Sequence, residues 1–108
     1  MFKGRLDLSR LSVGGHSFGG GTAVGATADP RSTFKACLAL DSWMFPLGND
    51  IFSRKRTTPV LYLNSEIFQW EENLVAMRKW VRQGPQTQRT IFFFFLNKEI
   101  FTYSYFLF

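Results

Sequence analysis

The sequence has little of the residue types on which disulfide, metal and histidine chemistry depend. Its 108 residues include one cysteine, Cys37, and one histidine, His16. A single cysteine excludes an internal disulfide, and its place in an apolar stretch is typical of a buried thiol. No cluster of histidines, cysteines or carboxylates has metal-ligand spacing, and no phosphate-binding loop or nucleic-acid module is present. We therefore expect no metal, no cofactor and no nucleic-acid partner.

Long apolar runs are also missing. No stretch of about 18 continuous apolar residues occurs, so a membrane-spanning helix is not expected. No secretory signal opens the chain, and the localisation stays unknown. The net charge of +5 is modest. The positive charge is most concentrated in the basic segment 53–56. This segment is either a solvated turn or a site that attracts anionic lipid headgroups.

The most informative segment that is present is 15–19, which reads Gly-His-Ser-Phe-Gly. It fits the Gly-x-Ser-x-Gly nucleophile elbow, in which a strand turns sharply into a helix and small residues let the chain close on itself. An apolar strand around Leu11 and a glycine-rich helix at 20–28 complete that context. The pattern predicts Ser17 as a nucleophile for ester or acyl chemistry, with the backbone N–H of Phe18 as an oxyanion donor.

A second feature is the apolar run 36–40, which is followed by Asp41. Such a run is typical of a strand in a parallel sheet that is covered on both faces. Because functional residues gather at the carboxyl ends of parallel strands, Asp41 is a candidate for the acid of a catalytic triad. The chain order, serine before aspartate, is that of the α/β-hydrolases. The alternative is that Asp41 begins a loop and has no catalytic role.

Strand and helix signals alternate along the rest of the chain. Further strands are expected at 34–40, 59–64 and 89–95, and a helix at 73–83 with Asn73 as its N-cap. The alternation predicts an α/β fold with a mostly parallel sheet and flanking helices. Since 108 residues are few for a complete α/β-hydrolase domain, we expect a fragment of that fold that lacks the N-terminal strands.

Three ordered blocks carry a resemblance to one family. Residues 15–20, 38–47 and 63–69 resemble consecutive blocks of the platelet-activating factor acetylhydrolases. The resemblance implies an α/β-hydrolase fold and calcium-independent hydrolysis of short or oxidised sn-2 acyl chains of phospholipids, the 1-alkyl-2-acetylglycerophosphocholine esterase reaction. A phospholipid or a lipid surface is then the expected partner.

The same resemblance assigns roles to single residues. Ser17 matches the nucleophile and Asp41 the triad acid, each within its own block. It also implies that Trp43 and Phe45 lie near the acyl and glycerol groups, the alternative being that these aromatic side chains are packed core residues.

The resemblance extends over 6–91 and then stops. The family supplies its general base from a histidine that corresponds to a position near Leu96, where this chain is rich in phenylalanine. His16 stands before the nucleophile, where the family keeps a histidine that is not the base. We expect no triad histidine in this chain, and weak or no activity of the chain alone, because a serine without a base is a poor nucleophile. The alternative function is a non-catalytic truncated product or a lipid-surface binder.

The composition changes near the end of the chain. We divide it into a partial α/β-hydrolase domain, 1–91, and an aromatic-rich divergent tail, 92–108. The tail contains seven of the thirteen phenylalanines, and its uncharged windows favour aggregation. Two origins stay open for the tail. It is either translated from non-exonic or frame-shifted sequence, or it is an interfacial anchor that lacks a clear helical pattern.

Overall fold

The computed structural model describes residues 3–83 and the strand at 90–95, of which only the backbone is described. Four strands alternate with three α-helices. In chain order they are β1 (Ser12–His16), α1 (Phe18–Thr27), β2 (Ala36–Leu40), α2 (Asn49–Ser53), β3 (Val60–Ser65), α3 (Glu71–Gln83) and β4 (Thr90–Phe95). Short 3₁₀ turns at Leu8–Arg10 and Glu66–Phe68 precede β1 and follow β3.

The four strands form one sheet in the order β1-β2-β3-β4. All three pairs of neighbouring strands are parallel, and the register places Ala39 of β2 beside Gly15 on one side and Tyr62 on the other. The predicted α/β fold with a parallel sheet is therefore confirmed. Because the strands are parallel, the residues that follow β1, β2 and β3 meet at one edge of the sheet.

The core lies against one face of this sheet. In β2 the buried residues Cys37 and Ala39 alternate with the exposed Ala36 and Leu38. Strands and helices together contribute the buried side chains, which include Val24, Val60, Tyr62, Met77 and Trp80. The sequence predicted a strand covered on both faces, whereas within residues 3–83 the second face of β2 stays open.

Close approaches of the backbone explain two of the glycines around the elbow. A Cβ at Gly15 would lie 2.2 Å from the carbonyl oxygen of Gly19, and a Cβ at Gly21 would lie 2.3 Å from that of Trp43. A Cβ at Gly19 would meet nothing within 4 Å. The chain therefore closes on Gly15, and the small size expected at position 19 is not required by the space around it.

The helix α3 begins two residues earlier than predicted, at Glu71. Asn73 is accordingly not its N-cap but a fully buried residue of the first turn. The helix α1 also begins two residues early, at Phe18. The helix α2 had no counterpart in the sequence prediction, since its five residues are too few to show a periodic pattern.

The basic segment 53–56 divides into side chains with different environments. Arg54 pairs with Asp50 at 2.8 Å, whereas Arg56 is buried and its guanidinium lies 3.6 Å from the centre of the Trp80 ring. Burial lowers the pKa of Arg56. The segment is therefore neither a simple solvated turn nor a continuous cationic surface for lipid.

Within residues 3–83, none of the helices is long and apolar enough to cross a bilayer. The predicted tail beyond residue 95 and the position of Leu96 lie outside the described residues. The strand β4 extends over Thr90–Phe95, as expected from the segment 89–95. The division of the chain at residue 91 stays a prediction.

Candidate active site

Ser17 occupies the turn between β1 and α1. Its φ of 56° and ψ of −123° lie in a region that residues with a side chain rarely adopt, at a cost of about 1–3 kcal/mol. Three backbone bonds hold the turn in place. Ser17 N–H donates to the carbonyl of Leu40 at 3.0 Å, and Ser17 C=O accepts from Trp43 N–H at 3.0 Å and from Gly21 N–H at 3.2 Å. This sharp strand-to-helix turn has the geometry of the nucleophile elbow.

The next residue, Phe18, begins the helix α1. N–H groups in the first turn of a helix have no acceptor within the helix, and they lie at its positive end. The Phe18 N–H therefore has no acceptor within the helix, and it lies next to Ser17 in the chain. Its side chain is 62% exposed and meets the Trp43 ring edge to face, with ring centres 6.2 Å apart.

Asp41 follows β2 directly and lies at the same edge of the sheet. Its Oδ1 accepts a hydrogen bond from Ser65 N–H at 2.6 Å. Its own N–H donates to the carbonyl of Leu63 at 2.8 Å. Asp41 has a φ of 43°, and among the described residues it and Ser17 are the non-glycine residues with a positive φ. The backbone strain thus coincides with the two predicted catalytic residues, and the end of β3 holds the carboxylate in place.

His16 lies beside Asp41, a contact that the sequence pattern did not predict. Its Nε2 is 3.5 Å from Oδ2 of Asp41, and its ring meets Phe68 edge to face at 6.0 Å. The contact depends on the strand register, in which His16 pairs with Leu40, the residue before Asp41. Within residues 3–83, the Ser17 hydroxyl makes no hydrogen bond to His16. The geometry therefore pairs the histidine with the acid and not with the nucleophile.

The two aromatic residues predicted near the substrate occupy different places. Trp43 lies at the elbow against Phe18 and is 38% exposed. Phe45 is 59% exposed and lines a groove of about 340 Å³. That groove lies against α3, where Val75 and Lys79 contribute to its wall, and neither Ser17 nor Trp43 lines it. Trp43 is thus next to Ser17, and Phe45 belongs to a neighbouring surface.

A metal site is not apparent in the described part of the chain. Its histidine, cysteine and carboxylate side chains form no group of three that could hold an ion. The chemistry available at the edge of the sheet is that of Ser17, Asp41, His16 and the N-terminus of α1.

The chain is similar to known proteins of one family. The family model for platelet-activating factor acetylhydrolase, isoform II, matches residues 1–95. The platelet-activating factor acetylhydrolase of Gallus gallus is 42% identical over 77 residues, which are 71% of this chain and 18% of that protein. The protein of the same name from Cavia porcellus is 40% identical over 87 residues, 81% of this chain and 19% of that protein.

A solved structure supports the fold alone. An acylaminoacyl peptidase in complex with Z-Gly-Gly-Phe-chloromethyl ketone matches with a TM-score of 0.61 and 15% identity, over 86% of this chain and 20% of that chain. The chain spans less than a fifth of the length of the curated relatives named above. Since the family model matches most of the chain, this protein belongs to the family of the platelet-activating factor acetylhydrolases, isoform II.

Proposed function

We propose that the chain carries the nucleophile and the acid of a serine esterase that removes short or oxidised sn-2 acyl chains from phospholipids. The observation that supports this most is the strained conformation of Ser17 at the elbow, with Asp41 held at the end of the next strand. Backbone strain of this kind persists where the surrounding structure enforces it, and it gathers at active sites. In the finer form of the proposal, the reaction is 1-alkyl-2-acetylglycerophosphocholine esterase activity.

The positions of these groups support a reaction through an acyl-enzyme. The Ser17 hydroxyl attacks the ester carbonyl, and the Phe18 N–H at the N-terminus of α1 donates to the oxyanion that develops. Collapse of the tetrahedral intermediate breaks the bond to the sn-2 oxygen, which takes up the proton lost by Ser17 and leaves as the hydroxyl of the lysophospholipid. Water then attacks the acyl-Ser17 ester, which releases the carboxylic acid and regenerates the Ser17 hydroxyl. The exposed Phe18 and Trp43 rings are suited to contact the acyl chain, because both lie beside the nucleophile.

In the chain by itself, this scheme lacks a base that accepts the proton of the Ser17 hydroxyl. A triad acid acts by orienting a histidine and stabilising its charged form. The only histidine, His16, faces Asp41 and makes no bond to the Ser17 hydroxyl. We therefore expect the isolated chain to turn over esters slowly. Ser17 is still expected to be phosphonylated by a fluorophosphonate, because this reagent is a far more reactive electrophile than an ester.

Two assays on the purified chain test the proposal. The first is covalent labelling by a fluorophosphonate, and the second is hydrolysis of a short-chain phospholipid ester, each compared with Ser17→Ala. We expect labelling that Ser17→Ala abolishes, together with slow hydrolysis. Absence of labelling in the folded chain would contradict the proposal and favour the non-catalytic product or lipid-surface binder. Fast hydrolysis that is lost in His16→Gln would contradict the expectation that His16 is not the general base.

A further inference from the structure

Asn73 lies fully buried in the first turn of α3 and bonds to two loops at once. Its Oδ1 accepts from the backbone N–H of Met44 at 2.7 Å. Its Nδ2 donates to the carbonyls of Ser42 and Phe68, both at 2.9 Å. A single side-chain amide thus ties α3 to the loop after β2 and to the turn after β3.

These two loops are the ones that hold Asp41. Ser42 is the residue after Asp41, and Ser65, at the start of the turn that ends in Phe68, donates its N–H to the Asp41 carboxylate. Trp43, between the two residues of the first loop that Asn73 bonds, donates to the carbonyl of Ser17. The Asn73 amide therefore fixes the acid relative to its backbone donor, and it fixes the same loop relative to the nucleophile.

The hydrogen bonds of the Asn73 side chain, and not its preference for a helix, explain an asparagine at this position. Asparagine is a poor residue for a helix interior, and a buried amide is costly unless it is bonded. Asn73 uses both N–H donors and its oxygen, which an aliphatic side chain of the same size could not do. A second asparagine provides the contrast. Asn64 of β3 is equally buried, but its Nδ2 contacts only Met77 Sδ at 3.9 Å, and its Oδ1 has no partner among the described residues.

We propose that Asn73 is a positioning residue for Asp41, acting through the loop at Ser42 and the turn at Phe68. The inference deepens the proposed function and rests on it for its catalytic meaning. The geometric part of the inference can be measured without any activity.

The first measurement is the pH titration of the Ser65 amide by NMR in the full chain. An amide that donates to a carboxylate shifts as that carboxylate ionises, so the Ser65 N–H reports on Asp41, and Asp41→Asn is the variant that proves the assignment. We expect Asn73→Ala to reduce the amplitude of this titration at least twofold. Asn64→Ala, the matched control, keeps the amplitude. Where Asn73→Ala does not fold, Asn73→Ser is the second variant. Its hydroxyl can replace only part of the three hydrogen bonds of the amide, so we expect a partial reduction of the titration amplitude.

The second measurement is the rate of Ser17 phosphonylation by a fluorophosphonate, taken under conditions in which each variant is folded. Asn73 also fixes the loop whose Trp43 N–H donates to the carbonyl of Ser17. Since a misplacement of catalytic groups by about 1 Å can lower a rate by two orders of magnitude, we expect Asn73→Ala to lower this rate about tenfold or more, with Asn64→Ala unchanged. Absence of labelling in the unmutated chain would count against the proposed function, and the Ser65 titration would still decide the role of Asn73. An unchanged titration in Asn73→Ala, or an equal loss in Asn64→Ala, would overturn the inference.

Discussion

At the scale of single residues, the elbow depends on one glycine and one strained serine. Gly15 lies where the chain approaches itself most closely, and Ser17 adopts a positive φ. Gly19 belongs to the same Gly-x-Ser-x-Gly pattern but has open space where a Cβ would be. The two glycines of the motif therefore differ in what they do, although the pattern treats them alike.

Alanine substitutions distinguish these two glycines. In Gly15→Ala the new Cβ would be driven into the carbonyl of Gly19, which is backbone and cannot rotate away. We expect a loss of about 3 kcal/mol or more in the free energy of unfolding, at the upper end of overpacking effects. In Gly19→Ala, inside the helix α1, we expect a gain of about 0.5–1 kcal/mol, because alanine restricts the unfolded chain and favours the helix.

Urea unfolding followed by far-ultraviolet circular dichroism measures both changes. Equal losses in the two variants would show that the close approach at Gly15 does not determine the difference.

At the scale of elements, the site depends on how α3 and the loops pack at the edge of the sheet. Asn73 connects α3 to the loops around Asp41, and Arg56 connects the end of α2 to α3. The Arg56 guanidinium stacks on Trp80 and donates to the carbonyl of Phe52 at 2.6 Å and to that of Trp80. Neither set of contacts follows from the sequence pattern. Asn73 and Arg56 both bond to residues that are distant in the chain, and Arg56 also belongs to a basic run that is typical of a solvated turn.

Arg56→Lys tests the link between α2 and α3. A lysine keeps the charge but cannot stack as a plane or donate in two fixed directions. We expect a loss of about 2–4 kcal/mol in the free energy of unfolding, the range for a disrupted buried polar network. The matched control is Lys55→Met at the exposed neighbouring position, where a change within about 0.5 kcal/mol is expected. A lysine at 56 that unfolds at the same urea concentration as the unmutated chain would contradict the role of the planar side chain.

At the scale of the whole molecule, two buried acids set how stability responds to alkali. Burial raises the pKa of the Cys37 thiol to about 11 from its usual 9.0. Burial also raises the pKa of Tyr62, which lies beside it in the core, well above its usual value. Both groups therefore stay protonated in the folded state at a pH at which the unfolded chain has lost the protons.

The sign of the effect follows from proton binding. Below about pH 9 the thiol is protonated in both states and contributes no pH dependence. Between about pH 9 and 11 the unfolded state binds fewer protons than the folded state, so the free energy of unfolding falls as the pH rises, by up to about 2.7 kcal/mol for the thiol. Tyr62 adds a loss in the same direction above its unfolded pKa.

Cys37→Ala isolates the contribution of the thiol. We expect the variant to lose less stability than the unmutated chain between pH 9 and pH 10.5, although it starts from a lower value at pH 7 because a small cavity replaces the sulfur. Urea unfolding at four or five pH values measures the two slopes. Parallel slopes would mean that the thiol is not shielded from solvent.

The alternation of apolar runs and turn residues was enough to predict the strands and the parallel sheet, since burial of apolar residues decides which segments become strands. The Gly-x-Ser-x-Gly pattern predicted the elbow together with the apolar strand before it and the glycine-rich helix after it, because structural context is what confirms this motif. Helix starts were less predictable. Asn73 has the side chain of a good N-cap, but tertiary hydrogen bonds to Ser42 and Phe68 outweighed the local preference.

The sequence by itself determined the order of the strands and of the two longer helices, the family, and the identity of Ser17 and Asp41 as candidates, because these depend on local residue patterns. Their catalytic roles stay predictions, as does the division of the chain at residue 91. Only the tertiary structure decided what surrounds Asp41, namely Ser65 N–H, the His16 ring and, through the loops, Asn73. These contacts join the loop after β2 to β1, β3 and α3, and the strand register that brings them together is a property of the folded sheet.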